Sequence, residues 1–265
     1  MVELEMLQVV DKICRQNQIA YEVDGGTLLG AVRYGGFIPW DDDVDIRMLR
    51  EDYDRFCEIC KEQLDDGRYF LQTYATDSGY RWGYARILKK GTFFDREHQE
   101  MLTMRRGIFI DIFPCDGMPE SGIQKKIFNF RCYLARKILY SVVGRKYEKN
   151  FLKRMGYTLL SCIPPSVAHR EFERLTKLYN GKETKLVRTL GWGGPEEDIG
   201  FKRRWLLESM DMLFEGINVR VPVDYEGHLS LMFGKDYMTP PPLEKRKPKH
   251  TAVNIKFDDW EGWGK

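Results

Sequence analysis

The sequence predicts an α+β fold: a mixed β-sheet flanked by helices, with a helical and strongly basic segment set into it. Three observations lead there. Short strand-like runs recur between amphipathic helical stretches. Residues 107–113, Gly-Ile-Phe-Ile-Asp-Ile-Phe, are too apolar for a strand with a wetted face and read as the centre of a sheet. Finally, residues 125–154 hold ten Lys or Arg against one acid, Glu148, although the whole chain carries only +2. At 265 residues and 43% hydrophobic content, the chain is long enough for a sizeable core.

In order, residues 2–16 place Leu4, Leu7, Val10, Ile13 and Cys14 on one helical stripe. Ile19 to Val23 reads as a short strand leading into Gly25-Gly26. Leu28, Leu29, Ala31 and Val32 continue as a helix that stops at Gly35-Gly36. After Pro39-Trp40 an acidic strand is expected, followed by a helix over 50–64. Strands are expected over 69–74 and 81–88, with a turn at 89–92. Pro114, Asp116 and Gly117 turn the chain out of the central strand. A further helix is expected over 166–180 and a loop over 191–196. A hairpin follows over 210–221, turning at 215–218, then a helix over 225–233. Lys245 to His250 reads as a solvated basic tail. The implied organisation is a core over 1–122, a helical basic part over 123–182, and 183–265 completing the core.

The chemistry concentrates between residues 24 and 48. Gly25 and Gly26 bring backbone N–H groups close to a ligand with no Cβ in the way, and a helix N-terminus favours phosphate; Thr27 adds a hydroxyl. On the strand that follows, alternation puts Asp41, Asp43 and Asp45 on one face and Val44, Ile46 and Met48 on the other. Asp42 is expected to point away. Lined-up carboxylates repel one another unless a divalent cation joins them, and hard oxygen ligands suit Mg2+ or Mn2+. Asp111 is the single charge in the apolar 107–113 strand, where burial demands compensation by a cation or by hydrogen bonds.

The runs GGTLLGAVR and GFIPWDDDVDI, the stretch IFIDIFP, and residues 214–241 together resemble the signature of the LicD family, within the nucleotidyltransferase-fold superfamily. The resemblance spans nearly the whole chain and is loosest over 118–200. It implies a nucleotidyltransferase-like core and transfer of a phospho-substituent, typically phosphocholine, from a CDP-linked alcohol to a sugar of a cell-surface glycan or its precursor. Lipopolysaccharide or teichoic acid would be such glycans, and a related animal branch, the fukutin-related proteins, uses CDP-ribitol. By this resemblance Asp43 and Asp45 hold Mg2+ (or Mn2+), with Asp111 as the third carboxylate, either base or metal ligand. Gly25, Gly26 and Thr27 hold the diphosphate. Arg86 is assigned to phosphate, an ordinary strand-face arginine being the equal alternative. If the donor is CDP-choline, its trimethylammonium group needs aromatic faces, for which Trp40, Trp82, Tyr84 and Trp192 are candidates. Asp43→Ala and Asp111→Ala are both expected to leave the fold intact and remove transfer.

Other readings bound this one. The same site chemistry serves a nucleotidyltransferase that releases pyrophosphate, and the basic segment suits a non-catalytic module for anionic glycans. Its aromatics and cations also suit peripheral contact with an anionic membrane surface at the inner face of the cell membrane. Nucleic acid is not expected, because no recognised module accompanies the patch. No uncharged run spans a bilayer, and Glu3, Glu5 and Asp11 interrupt any signal peptide, so a cytoplasmic protein with reduced cysteines is expected. Cys57 and Cys60, at helical spacing, read as core rather than as a metal or redox pair.

Overall fold

The fold comes from a computed structural model, described for residues 2–248 and 252–257. It opens with helix α1 (Val2–Gln16), strand β1 (Glu22–Val23), helix α2 (Gly25–Tyr34) and strand β2 (Asp45–Leu49). Helix α3 (Arg50–Gln63) leads to β3 (Tyr69–Gln72), β4 (Ala85–Lys89), β5 (Phe93–Arg96) and the long β6 (Phe109–Met118). Three helices follow, α4 (Gly122–Tyr147), α5 (Phe151–Leu160) and α6 (Pro165–Tyr179). The remainder comprises β7 (Leu186–Arg188), α7 (Pro195–Ile199), β8 (Phe201–Lys202), the hairpin β9 (Ser209–Phe214) and β10 (Ile217–Pro222), α8 (Tyr225–Phe233) and β11 (Ala252–Lys256).

The main sheet runs in the order β1-β2-β6-β4-β3, extended from β6 through β7 to β8. Among the described residues only β2 and β6 pair in parallel; the sheet's other pairings are antiparallel, which makes it mixed. Alternation along the central strands sorts their side chains. Ile46, Met48, Ile87, Ile110 and Ile112 lie in one core with Leu7, Val10 and Ile13 of α1 and Phe56 of α3. Asp45, Arg47, Arg86 and Asp111 alternate with these residues on the other face.

Several elements form as their periodicity predicts. The hairpin turns on Glu215 and Gly216, both at positive φ (49° and 80°), the backbone that a tight two-residue hairpin turn requires. Asp224 caps α8 by accepting from the Gly227 N–H at 3.1 Å. The basic stretch is indeed helical but breaks at 148–150, where Asn150 accepts from the Lys153 N–H at 3.1 Å and starts α5. Cys57 and Cys60 lie on α3, all six cysteines are free, and burial pushes the Cys57 thiol up to about 12. Both are packing residues.

One expectation is corrected. Asp116 does not turn the chain out of the sheet. β6 continues through Pro114 to Met118, because Met48 and Leu49 pair with Pro114 and Cys115 on one side and Arg188 pairs with Asp116 on the other. The fully buried Asp116 takes a bidentate pair from Arg50 (2.8 and 2.7 Å) and accepts from Thr176 and Asn180. It is therefore a strut between the sheet and two helices. Lys245, Lys247 and Pro248 of the expected basic tail are exposed, and past it β11 pairs antiparallel with β5. Lys249 and His250 lie outside the described residues.

Candidate active site

The site forms where α2 begins beside the ends of β2 and β6. Parallel pairing sets Asp45 opposite Asp111, and the Asp111 N–H donates to the Val44 carbonyl at 2.9 Å. The two carboxylates foreseen on separate strands are thus neighbours across one ladder. Residues 41–44 precede the paired strand, so alternation does not govern them. The Asp41 N–H closes a turn onto the Ile38 carbonyl at 2.9 Å, and Asp42 joins its neighbours instead of turning away. One carboxylate oxygen from each of Asp41, Asp42 and Asp43 lies within 4.8 Å of the others. That corrects the expectation for Asp42: an irregular backbone can aim consecutive side chains to one side.

The start of α2 closes the other wall. A Cβ on Gly26 would sit 1.9 Å from an Asp41 carboxylate oxygen, and one on Gly25 would sit 3.1 Å from Asp45. Gly25 is also at φ 55°, which demands glycine, while at Gly26 a side chain would displace the Asp41 carboxylate from this wall. The Thr27 hydroxyl accepts from the Asp45 N–H at 3.0 Å and ties the helix to the acidic strand. Thr27 therefore positions Asp45, with its own proton still available to donate.

Charge at this point is crowded. Burial, then the charges of Asp43 and Asp111, raise the Asp45 carboxyl well above the ordinary range. Asp111 is also raised, since burial outweighs the pull of Arg86. Glu3, which no sequence pattern singled out, is pushed up to about 8 by burial and then by Asp43. The oxygens gathered at metal-ligand spacing are those of Asp41, Asp42 and Asp43, and with the raised Asp45 and Asp111 carboxyls beside them this is chemistry that fits a hard divalent cation.

Arg86 stands opposite Asp111 in the β4–β6 register and donates to its Oδ1 at 2.7 Å, both side chains buried. Its guanidinium is thus engaged with a carboxylate, and it also lies over the Phe109 ring at 3.9 Å. The aromatic candidates divide between two clefts. Trp40 lines a cleft of about 450 Å3 with Gly26, Asp41, Asp236 and Tyr237, and Arg246 lies over its ring at 5.0 Å. Trp82, Tyr84 and Trp192 line another of about 400 Å3 beside α4. Trp192 packs edge-on against Tyr84, with ring centres 5.9 Å apart.

Beneath the site lies a buried charge network that sequence reasoning missed. Arg47 of β2 pairs with Asp24, the residue just before α2, and with Glu197 of α7 at 2.8 Å. His228 of α8 meets the other Asp24 oxygen at 2.9 Å, and Arg47 stacks on Phe201 at 4.0 Å. Burial by itself would raise Asp24, but Arg47 and His228 override it and hold the carboxyl well below the usual range. Asp24 follows Tyr21-Glu22-Val23, which already carries an acid, so the lone-charge signal that marks Asp111 is missing here.

Comparison with known proteins gives the family. Residues 18–149 match the family described as LicD/FKTN/FKRP, nucleotidyltransferase domain. The chain is 30% identical to the lipopolysaccharide cholinephosphotransferase LicD of Haemophilus influenzae, over 94% of this chain and 94% of that protein. It is 32% identical to the human and mouse ribitol 5-phosphate transferase FKRP over 108 residues, 41% of this chain and 19% of theirs. With the glycine-led helix and the paired-strand carboxylates in place, the chain belongs to the LicD family of the nucleotidyltransferase fold.

Proposed function

We propose that this protein transfers phosphocholine from CDP-choline to a sugar hydroxyl of a cell-surface glycan or its precursor and releases CMP. The observation that carries this reading is the meeting of Asp45 and Asp111 across one parallel ladder, beside Asp41–Asp43 and the start of α2. Relatives named as a cholinephosphotransferase and a ribitol 5-phosphate transferase support the reaction class. Asp43, Asp45 and Asp111, with Asp41 and Asp42 adjoining, would hold Mg2+ or Mn2+. Bound there, such a cation would supply positive charge against the diphosphate and the departing CMP.

The protein groups do the rest. Gly25, Gly26 and Thr27 present the helix N-terminus to the diphosphate. The acceptor hydroxyl oxygen forms a bond to the phosphorus distal to cytidine, and the bond from that phosphorus to the CMP oxygen breaks, with its electron pair leaving on CMP. The hydroxyl proton passes to a carboxylate. Arg86 occupies Oδ1 of Asp111, which leaves Oδ2 for that proton or for the cation. A carboxyl raised by burial holds a proton better than an ordinary one, as a base requires.

Incubation with Mg2+ and a panel of CDP-alcohols tests the reaction. CMP is the expected product, formed fastest from CDP-choline. Pyrophosphate from a nucleoside triphosphate would instead indicate a nucleotidyltransferase, and no metal-dependent turnover at all would leave a glycan-binding module.

A second contact is supported by α5. Phe151, Leu152, Met155 and Leu159 are exposed there among the exposed Lys149, Lys153 and Arg154, which suits the surface of an anionic bilayer. Among the described residues no helix is long and apolar enough to cross a membrane. Peripheral binding at the inner face would bring the site to a lipid-linked acceptor. Co-sedimentation with anionic liposomes at low salt, and not with neutral ones, is expected; equal sedimentation with both would refute it.

A further inference from the structure

The cleft beside α4 has a composition that the transferred group does not explain. Arg96, Arg136 and Lys137 line it with Trp82, Tyr84 and Trp192, and no Asp or Glu is among its lining residues. A trimethylammonium group would meet three like charges there and no counter-charge, so its aromatic faces suit a different ligand. Two donors in the cleft walls, Trp82 Nε1 and Arg136 Nη1, are buried and have no hydrogen-bond partner. The Gly191–Gly193 loop is packed directly onto Arg136, since a Cβ on Gly193 would lie 2.8 Å from its Nε. Buried guanidinium and indole donors left unpaired are costly unless a bound acceptor satisfies them.

The cleft also communicates with the carboxylates. Arg86 Nη2 donates to the Tyr84 hydroxyl at 3.4 Å while Nε of the same guanidinium holds Asp111 at 2.7 Å. Tyr84 lines the cleft, so two hydrogen-bonded side chains, Tyr84 and Arg86, link this space to Asp111. A second cleft, of about 510 Å3, shares Arg96, Gln99 and Tyr140 with the first and extends the path along α4.

We infer that this cleft binds the acceptor and that the acceptor is anionic, a sugar bearing a phosphate group. The phosphate is held by Arg96, Arg136 and Lys137, with the sugar ring against Trp192 and Trp82. Arginine forks match phosphate oxygens in pairs, and flat aromatic faces cover a ring without requiring its charge. The inference rests on the transferase reading and adds the chemical class of its acceptor. The donor is then left the separate cleft at Gly26 and Asp41, which shares no lining residue with this one.

The test uses the full chain with Mg2+ and three probes, glucose 6-phosphate, glucose and CMP, followed by tryptophan fluorescence and calorimetry. Glucose 6-phosphate is expected to bind at least about tenfold more tightly than glucose, with the margin shrinking as salt is added. Arg136→Gln should remove most of that margin, and Lys137→Gln, made separately and checked for folding by circular dichroism, should do the same. Saturating CMP should leave glucose 6-phosphate bound. Absence of binding, equal binding of sugar and sugar phosphate, an undiminished margin in both folded variants, or displacement by CMP would each overturn the inference. Hydrolysis of CDP-choline by the unsubstituted protein is read alongside, so a failed transferase reading is told apart from a failed acceptor assignment.

Discussion

Asp43→Ala is expected to lower metal-dependent turnover of CDP-choline by about a thousandfold, roughly 4 kcal/mol of transition-state stabilisation, while the protein stays folded. Asp43 lies ahead of the paired part of β2, so its loss breaks no ladder bond. It also adds to the negative charge that raises Asp45 and Glu3, so its removal relieves repulsion in the metal-free protein. Mg2+ should therefore stabilise the variant less than the wild type. Activity within tenfold of wild type would remove Asp43 from the site. Asp111→Ala does not share this profile, contrary to the sequence-based expectation. It would leave the buried Arg86 guanidinium without its partner, a loss of roughly 3–5 kcal/mol, so lost activity and lost fold would be confounded. Asp111→Asn keeps the shape and is the better probe.

The second large effect is on stability. Asp24→Ala should destabilise the protein by roughly 3–5 kcal/mol, because it strands a buried arginine. The midpoint should fall on the order of 10 °C for a chain of this size. Asp24 joins Arg47 of β2 and His228 of α8, and Arg47 carries the tie on to Glu197, whose other oxygen accepts from the Thr189 N–H at 2.8 Å. The sign with pH follows from the depressed carboxyl of Asp24. Its contribution is fully present above the ordinary carboxylate range and is lost as the pH falls toward the folded-state value. The gap between wild type and variant should thus narrow as the pH is taken below about 4. Thermal unfolding followed by circular dichroism measures both quantities; a shift of under about 2 °C at pH 7 would show that the network does not hold the site in place.

Much of the site was readable because it is written in local periods. Asp45 alternates with Ile46 on β2 and Asp111 with Ile112 on β6, and a period of two fixes which face each side chain takes. The lone acid in an apolar strand declared Asp111, and paired glycines before a helix declared the start of α2. Asp42 was misplaced for the same reason that Asp45 was placed correctly. Alternation is a property of strand backbone, and at Asp42 the chain has not yet become one.

The sequence by itself determined the α+β class, the longer helices, the hairpin, and Asp45 and Asp111 as the acids of two neighbouring strands, since these depend on residues a few positions apart. Only the tertiary structure decided what each buried charge meets. Arg86 was assigned to phosphate and engages Asp111, Asp116 was assigned to a turn and locks Arg50, and Trp82 and Trp192 share a cleft with Arg96 and Arg136. A charge out of water must be compensated, and the compensating group arrives from a distant segment that local pattern does not register.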